Sequence, residues 1–405
     1  MRFRTPLHSW TPTAVLAALV LLPLGAAEAQ TLRPRVVQAP EGERGLALVG
    51  HRIEGADGTV VDLDLPPGAS LQAIAELSDG WVVTGNVFDA EGSELLVLRE
   101  SGGVLSEVDP PSGQIARHRS SAVPVVADGG LAAIAWLEGE SQSDAVVRLS
   151  RWREPANGEA GSWSDPEVVA GAGPGGRVAL RSTVLAAGAW LIAWVGHDGE
   201  DDEIYWSVGG EAAEAGWSEA QRVGEDNAVP DIAPQLIAVS GGALIAWSRY
   251  DGEDYRLRLA RFEPAAGEWI ELPIASGKGS SPATLVRQDG RVRLLGKSVV
   301  PDAWELRELS DDGEIRREAL APGDYFLPVL RVVEGREAGP GGAPVRWTLL
   351  AFPRFDAPAG ATTPQALAPA LGGGGPEGGG RPGPGEGLAP AAPAVEIELV
   401  WSDQP

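Results

Sequence analysis

Across 405 residues the chain has no cysteine, one methionine, four histidines and four tyrosines. Without cysteine no disulfide can staple the fold, so burial and strand pairing must hold it, and thiol catalysis and thiolate metal sites are excluded. Past residue 29 only His51, His118 and His197 remain, and no two of them share a metal-ligand spacing. We therefore expect neither a metal nor a cofactor. Basic residues are also scarce: 32 Lys and Arg face 57 Asp and Glu, a formal charge of −25. Such a surface repels nucleic acid and anionic lipid, so neither is expected as a partner. Long apolar runs are missing but for one. Ala14 to Leu24 follows the basic start Arg2 and Arg4 and precedes Ala27-Glu28-Ala29, a small-residue cleavage pattern. Residues 1–29 read as a secretory signal peptide. The remainder is expected to be secreted or periplasmic, with no membrane insertion after signal removal and no cysteine for a lipid anchor.

What the chain has in abundance is repetition. A five-residue strand pattern recurs as Trp81-Val-Val-Thr-Gly85, Ala132-Ala-Ile-Ala-Trp136, Trp190-Leu-Ile-Ala-Trp194, Ala243-Leu-Ile-Ala-Trp247, Val292-Arg-Leu-Leu-Gly296 and Trp347-Thr-Leu-Leu-Ala351. Its fifth residues fall at 85, 136, 194, 247, 296 and 351, giving steps of 51, 58, 53, 49 and 55. Repeats of that length that hold several strands are propeller blades. The fold predicted is all-β, a six-bladed β-propeller of four-stranded antiparallel blades, with seven blades as the alternative.

Within each repeat four strands can be placed. An apolar first strand, such as Ala122–Ala127 or Pro234–Val239, is expected to line the axis. A glycine follows at Gly80, Gly130, Gly188, Gly242 or Gly290, where a hairpin needs a permissive backbone. The Trp-ending second strand comes next, then an alternating third strand such as Glu203–Ser207 or Tyr255–Ala260. A short polar fourth strand, often opened by Gly and Trp as in Gly161-Ser-Trp163 and Gly216-Trp217, protects the sheet edge. The last repeat is interrupted: its third strand, Val395–Trp401, follows the Gly/Pro/Ala-rich stretch 357–394, which reads as a disordered loop. One propeller domain, residues 30–356 and 395–405, is thus expected to be closed by both termini. In this scheme Val395–Trp401 lies between Trp347–Ala351 and a strand near Val60–Leu65. Leu46–Ile53 is then one strand too many, either an outer fifth strand or half of a seventh blade.

These repeats, with Ala-Trp ending the second strand and Trp-Ser at the head of the fourth, resemble the sialidase-like, Asp-box propeller superfamily over about residues 70–350. The family's box, Ser-x-Asp-x-Gly-x-x-Trp, sits between third and fourth strands. The matching turns here, Ser150 to Trp163 and Ser207 to Trp217, keep Ser, Gly and Trp but lengthen the spacing and lack the Asp. Enzymes of the family use an Arg triad, an Arg-Ile-Pro motif, a Tyr–Glu nucleophile pair and an Asp acid/base. No Arg-Ile-Pro motif occurs here, and none of the tyrosines matches the nucleophile by motif. The resemblance implies a fold and no catalytic residue.

Ligand sites in a propeller are expected on the face shared by second-to-third turns and blade-to-blade connections. Four repeats place an acidic residue there, four positions after the reference: Asp89, Glu140, Asp198 and Asp251. Such carboxylates suit a cation or sugar hydroxyls, although Asp-Gly is also ordinary turn chemistry. His197–Glu203 lacks the alternating ligand order of a calcium loop and reads as a solvated acidic turn. Arg117 and Arg119 on an inter-blade loop, Arg181 in a first strand, and Arg249 beside Tyr250 on a turn are suited to an anionic group, with Tyr325 as a further contact. Among the fourteen Trp, most recur at packing positions, and Trp152 is the nearest candidate for a carbohydrate platform. The function expected is an exported non-catalytic propeller that binds a carbohydrate or protein partner on its axial face. The alternatives are a diverged glycoside hydrolase or lyase, and a structural part of an envelope assembly.

Overall fold

The computed structural model describes residues 36–42, 45–55, 60–111, 118–154, 161–173, 175–210, 216–288, 290–299, 303–319, 329–331, 346–351 and 395–400. The predicted signal peptide, Arg117, Tyr325 and the 357–394 loop lie outside them. Among the described residues the only helical element is one 3-10 turn, Gln142–Asp144, and no helix is long and apolar enough to cross a membrane.

The strands form seven successive antiparallel groups, here called sheets one to seven, over residues 36–62, 69–107, 118–170, 177–222, 231–272, 281–319 and 329–400. Sheets two and three are linked by one parallel pair, Ser93 with His118. Sheets two to seven are the six sequence repeats. In each the second strand lies between the first and the third, as in Asp231–Val239, Gly242–Tyr250 and Tyr255–Glu263. Sheet seven bears out the long-range pairing, with Ala351 opposite Val395 and Arg346 opposite Val400.

Sheet one departs from the expectation. Leu46–Ile53 is not one strand but two, Ala47–Val49 and Arg52–Glu54, folded about Gly50 at φ 63°. Val60–Asp62 pairs with Arg52–Glu54, within sheet one, and not with the last strand. The fourth strand of sheet four is Gln221–Arg222, further on than Gly216-Trp217, while the Trp217 ring packs over Gly209.

The Trp-ending second strands form the core. Trp136, Trp194 and Trp247 are fully or almost fully buried, at 0%, 0% and 2% exposure, as their repetition predicts. The first strands bulge opposite the fifth position in five successive sheets. Where that position is Trp, the bulge contains a left-handed non-glycine residue: Ser121 across from Trp136, Ala179 from Trp194 and Ala233 from Trp247, with φ 53–57°. Where it is Gly85 or Gly296, the described bulge residues have no positive φ. A strand must deviate further to pass a buried indole, and the deviation appears as local strain.

At the hairpins the glycines serve two purposes. Gly188 and Gly290 adopt positive φ as expected, but in two other hairpins the positive φ falls one residue earlier, on Gly129 and Gly241. Gly242 is needed for close approach instead, since a Cβ there would lie 1.9 Å from the Phe262 carbonyl oxygen.

Neighbouring sheets are tied by buried and half-buried hydroxyls. Thr84 Oγ1 donates to the Ala122 carbonyl at 2.7 Å, Ser182 Oγ to Pro124 at 2.6 Å, and Ser248 Oγ to Ser280 at 3.0 Å. The lengthened Asp-box turns close without an Asp. Ser207 Oγ donates to the Ser218 carbonyl at 2.8 Å while Ser218 Oγ accepts the Val208 N–H at 3.0 Å, and Ser150 and Ser164 repeat the arrangement.

Candidate functional site

The second-to-third turns are built by their aspartates. Asp89 Oδ1 accepts the N–H groups of Glu91 and Gly92 at 2.7 and 2.8 Å. Asp198 does the same for Glu200 and Asp201, at 2.8 and 3.2 Å. Asp251 serves Glu253 and Asp254, at 3.0 and 2.8 Å. These are Asx turns, which satisfy backbone donors that a tight turn would otherwise leave unpaired. The N–H bonds from Glu200 and Asp201 hold the Asp198 carboxyl below its ordinary range, and Arg256 together with two turn N–H groups does so for Asp251. Sheet three substitutes Ser141 and Asp144 in its turn and leaves Glu140 exposed beside them.

Between sheets four and five the structure gathers a denser network. Arg249 grips Asp231 with two parallel hydrogen bonds, Nε to Oδ1 at 2.8 Å and Nη2 to Oδ2 at 2.6 Å. Asp231 and Glu203 are both completely buried, and Glu203 Oε1 accepts the Asn227 amide at 2.9 Å. Burial, then the charges of Asp231 and Asp201, push the Glu203 carboxyl up to about 8. Burial, then Asp198 and Asp231, raise Asp201 to about 6. Arg222 pairs with Asp198 at 3.1 Å and with Asp226. At neutral pH the raised value keeps a proton on Glu203 beside Asp231, whose charge Arg249 balances. His197–Glu203 is thus only partly a solvated turn, because its last residue enters the core.

Sequence reasoning singled out Arg249 and Asp198, which the structure brings into this network. It missed Asp231, Glu203, Asn227 and Arg222. The available signal was an acid heading an apolar first strand, Asp231-Ile-Ala-Pro-Gln-Leu, where a core strand has no other use for a charge.

The other predicted residues lie elsewhere. Arg119 Nε is 3.2 Å from Glu138, which also meets Arg148 at 2.9 Å and the Trp136 indole N–H at 3.1 Å. Arg181 Nη1 donates to the Leu180 carbonyl at 2.8 Å. Tyr250 donates to the Gly252 carbonyl at 3.1 Å and its ring lies 5.5 Å from that of Tyr255. Among the described residues no three acidic or histidine side chains are arranged to hold a metal ion.

At the opposite, hairpin end of the strands, the β-hairpin of sheet one reaches over the ends of the first strands. The Arg287 N–H of sheet six donates to the Pro40 carbonyl at 2.8 Å, and Arg287 Nη1 lies 3.6 Å from Glu41. Glu41 borders two cavities, one of about 780 Å³ against sheets two to four and one of about 700 Å³ against sheets four to six. Burial raises the Glu41 carboxyl above its usual range.

No family model matches this chain, and no curated protein matches it. Among solved structures it is similar to puromycin hydrolase (an S511A mutant complexed with PGG), at 16% identity and TM-score 0.45 over 79% of this chain and 50% of that one. Trypanosoma rangeli sialidase is similar at 12% identity and TM-score 0.41, over 79% of this chain and 56% of that one. Fructan 1-exohydrolase IIa from Cichorium intybus gives 10% identity and TM-score 0.40, over 66% and 62%. The chain spans about half the length of the first two. The sialidase-like resemblance is one of fold at low identity, and no residue role passes from these proteins to this chain.

Proposed function

We propose that this chain is an exported, non-catalytic propeller of seven blades that presents its turn face to a carbohydrate, with a protein surface as the alternative partner. The observation that favours a non-catalytic role is the internal engagement of the polar groups. Arg119, Arg181 and Arg249, and the carboxylates Asp89, Asp198 and Asp251, all have partners inside the protein. A catalytic carboxyl must touch its substrate, whereas Glu203, the group whose proton is best placed for acid chemistry at neutral pH, is completely buried. The acidic surface favours uncharged or cationic partners over sialosides. The test is a glycan array together with hydrolysis assays on a sialoside and a fructo-oligosaccharide. Capture of a glycan without release of product is expected. Release of sialic acid or fructose that is lost on Glu203→Gln would replace this reading with that of a diverged glycoside hydrolase.

A further inference from the structure

The boundary between sheets two and three differs from the corresponding boundary between sheets four and five. In the latter, Trp206 of sheet four fills the space against sheet five, 4.9 Å from Phe262 and 6.4 Å from Trp269. Phe262 and Trp269 are a register pair of third and fourth strands. Sheet three has the same pair as Trp152 and Trp163, with ring centroids 4.7 Å apart and planes at 59°. Opposite them, at the register position of Trp206, sheet two has only Val97. The next two residues on that face of the strand are Arg99 and Ser101, both polar. Past Val97, which is fully buried in the cluster that the two indoles pack against, the boundary is lined by polar groups and a groove of about 760 Å³ remains. That volume lies within the range of small-molecule sites.

Two bridges hold the groove walls in place. Arg99 Nη1 donates to Glu154 Oε2 at 2.9 Å, and the Trp163 indole N–H donates to the Asp109 carbonyl at 2.6 Å. Between these bridges the lining combines half-buried indole surface with hydroxyls and carboxylates, among them Ser106 and Glu107 on the exposed strand Val104–Glu107. Indole faces take the C–H face of a pyranose ring, and carboxylates and serine hydroxyls accept and exchange hydrogen bonds with its hydroxyls. The charge selects among sugars. Asp79, Glu107, Asp109 and Glu154 stand against a single cation, Arg99, which is already paired with Glu154 and Asp79. A uronic or sialic acid carboxylate would be repelled, and a sugar amine attracted.

We propose that this groove is a binding site for a non-acidic oligosaccharide. It lies at the hairpin end and outer strands of sheets two and three, away from the turn face that carries Arg249, so this site and the turn-face reading fail separately. The test titrates the full chain with cellotetraose, a glucosamine tetramer and oligogalacturonate, following binding by calorimetry and by indole N–H resonances. The same titrations are made on Ser106→Trp, which fills the groove from an exposed position, and on Val104→Trp, an equally bulky change on the same exposed strand but outside the lining, as the control. The expected result is binding of cellotetraose, tighter binding of the glucosamine tetramer at low salt, and none of oligogalacturonate. Ser106→Trp should weaken both by at least about tenfold, or ~1.4 kcal/mol, while Val104→Trp stays near the wild-type affinity. Binding that Ser106→Trp leaves unchanged would overturn the groove and leave the turn face as the site. Preference for oligogalacturonate, or no binding of any of the three, would overturn the proposal, whatever the glycan array returns for the turn face.

Discussion

Replacing Glu203 with glutamine isolates the proton that this side chain keeps in the folded state. Glutamine is neutral at every pH and can still accept from Asn227 through Oε1. In the wild type the folded carboxyl titrates near 8 against an ordinary 4.5. A raised acid binds its proton more tightly folded than unfolded, so its contribution is full below about pH 4.5, falls through the window up to pH 8, and is lost above it. At ~1.4 kcal/mol per pH unit the window sets a ceiling of roughly 5 kcal/mol. Relaxation and water entry around a buried charge reduce this to about 2–3 kcal/mol. Asp201, raised to about 6, adds a smaller decline of the same sign in both proteins and cancels in the comparison. Urea unfolding at pH 5, 7 and 9 measures the difference. The two proteins should be alike at pH 5, and the variant more stable by about 2–3 kcal/mol at pH 9. Stability curves that stay parallel from pH 5 to 9 would refute a proton kept on Glu203 in the folded state.

Three further outcomes are open to measurement by the same unfolding assay. Trp194→Ala and Trp247→Ala each empty a fully packed indole site and should cost about 3–5 kcal/mol. Ala233→Gly should raise stability by about 0.5 kcal/mol, because relief of a left-handed alanine slightly exceeds the chain entropy that glycine adds. No gain, or a loss, would show that the bulge opposite Trp247 is unstrained. Glu138→Ala leaves Arg119 and Arg148 facing each other without their shared anion and should cost about 3 kcal/mol, with Glu138→Gln less severe.

The repeats were legible because a blade repeats its pattern at a regular chain spacing, and the buried position of Trp136, Trp194 and Trp247 follows from that repetition. Sheet one was not, since its strands are three residues long and a turn at Gly50 interrupts what reads as one apolar run. The aspartate turns were readable as Asp-Gly chemistry, because an Asx turn is a local affair of four residues. The Glu203 network was not. Asp231 and Arg249 are 18 positions apart and Asn227 and Glu203 are 24 apart, and only strand pairing and the connection between two sheets bring them together. The open groove depends on a comparison across boundaries, Val97 against Trp206, that needs the register of two sheets at once.

The hydrogen bond from Arg287 to Pro40 sets an order on assembly. Pro40 belongs to the earliest-made sheet and Arg287 to the sixth, so the contact cannot form until some 250 residues of intervening chain exist, roughly 10–50 s of synthesis at ordinary rates. Sheets two to five need only their own hairpins and the hydroxyl ties to the next sheet, so they can settle in sequence as they appear. The hairpin around Glu41 is made first and locked only once sheet six is present. Until then the ends of five first strands stand uncovered, and anything that binds there during that interval competes with the protein's own N-terminal segment for the same place.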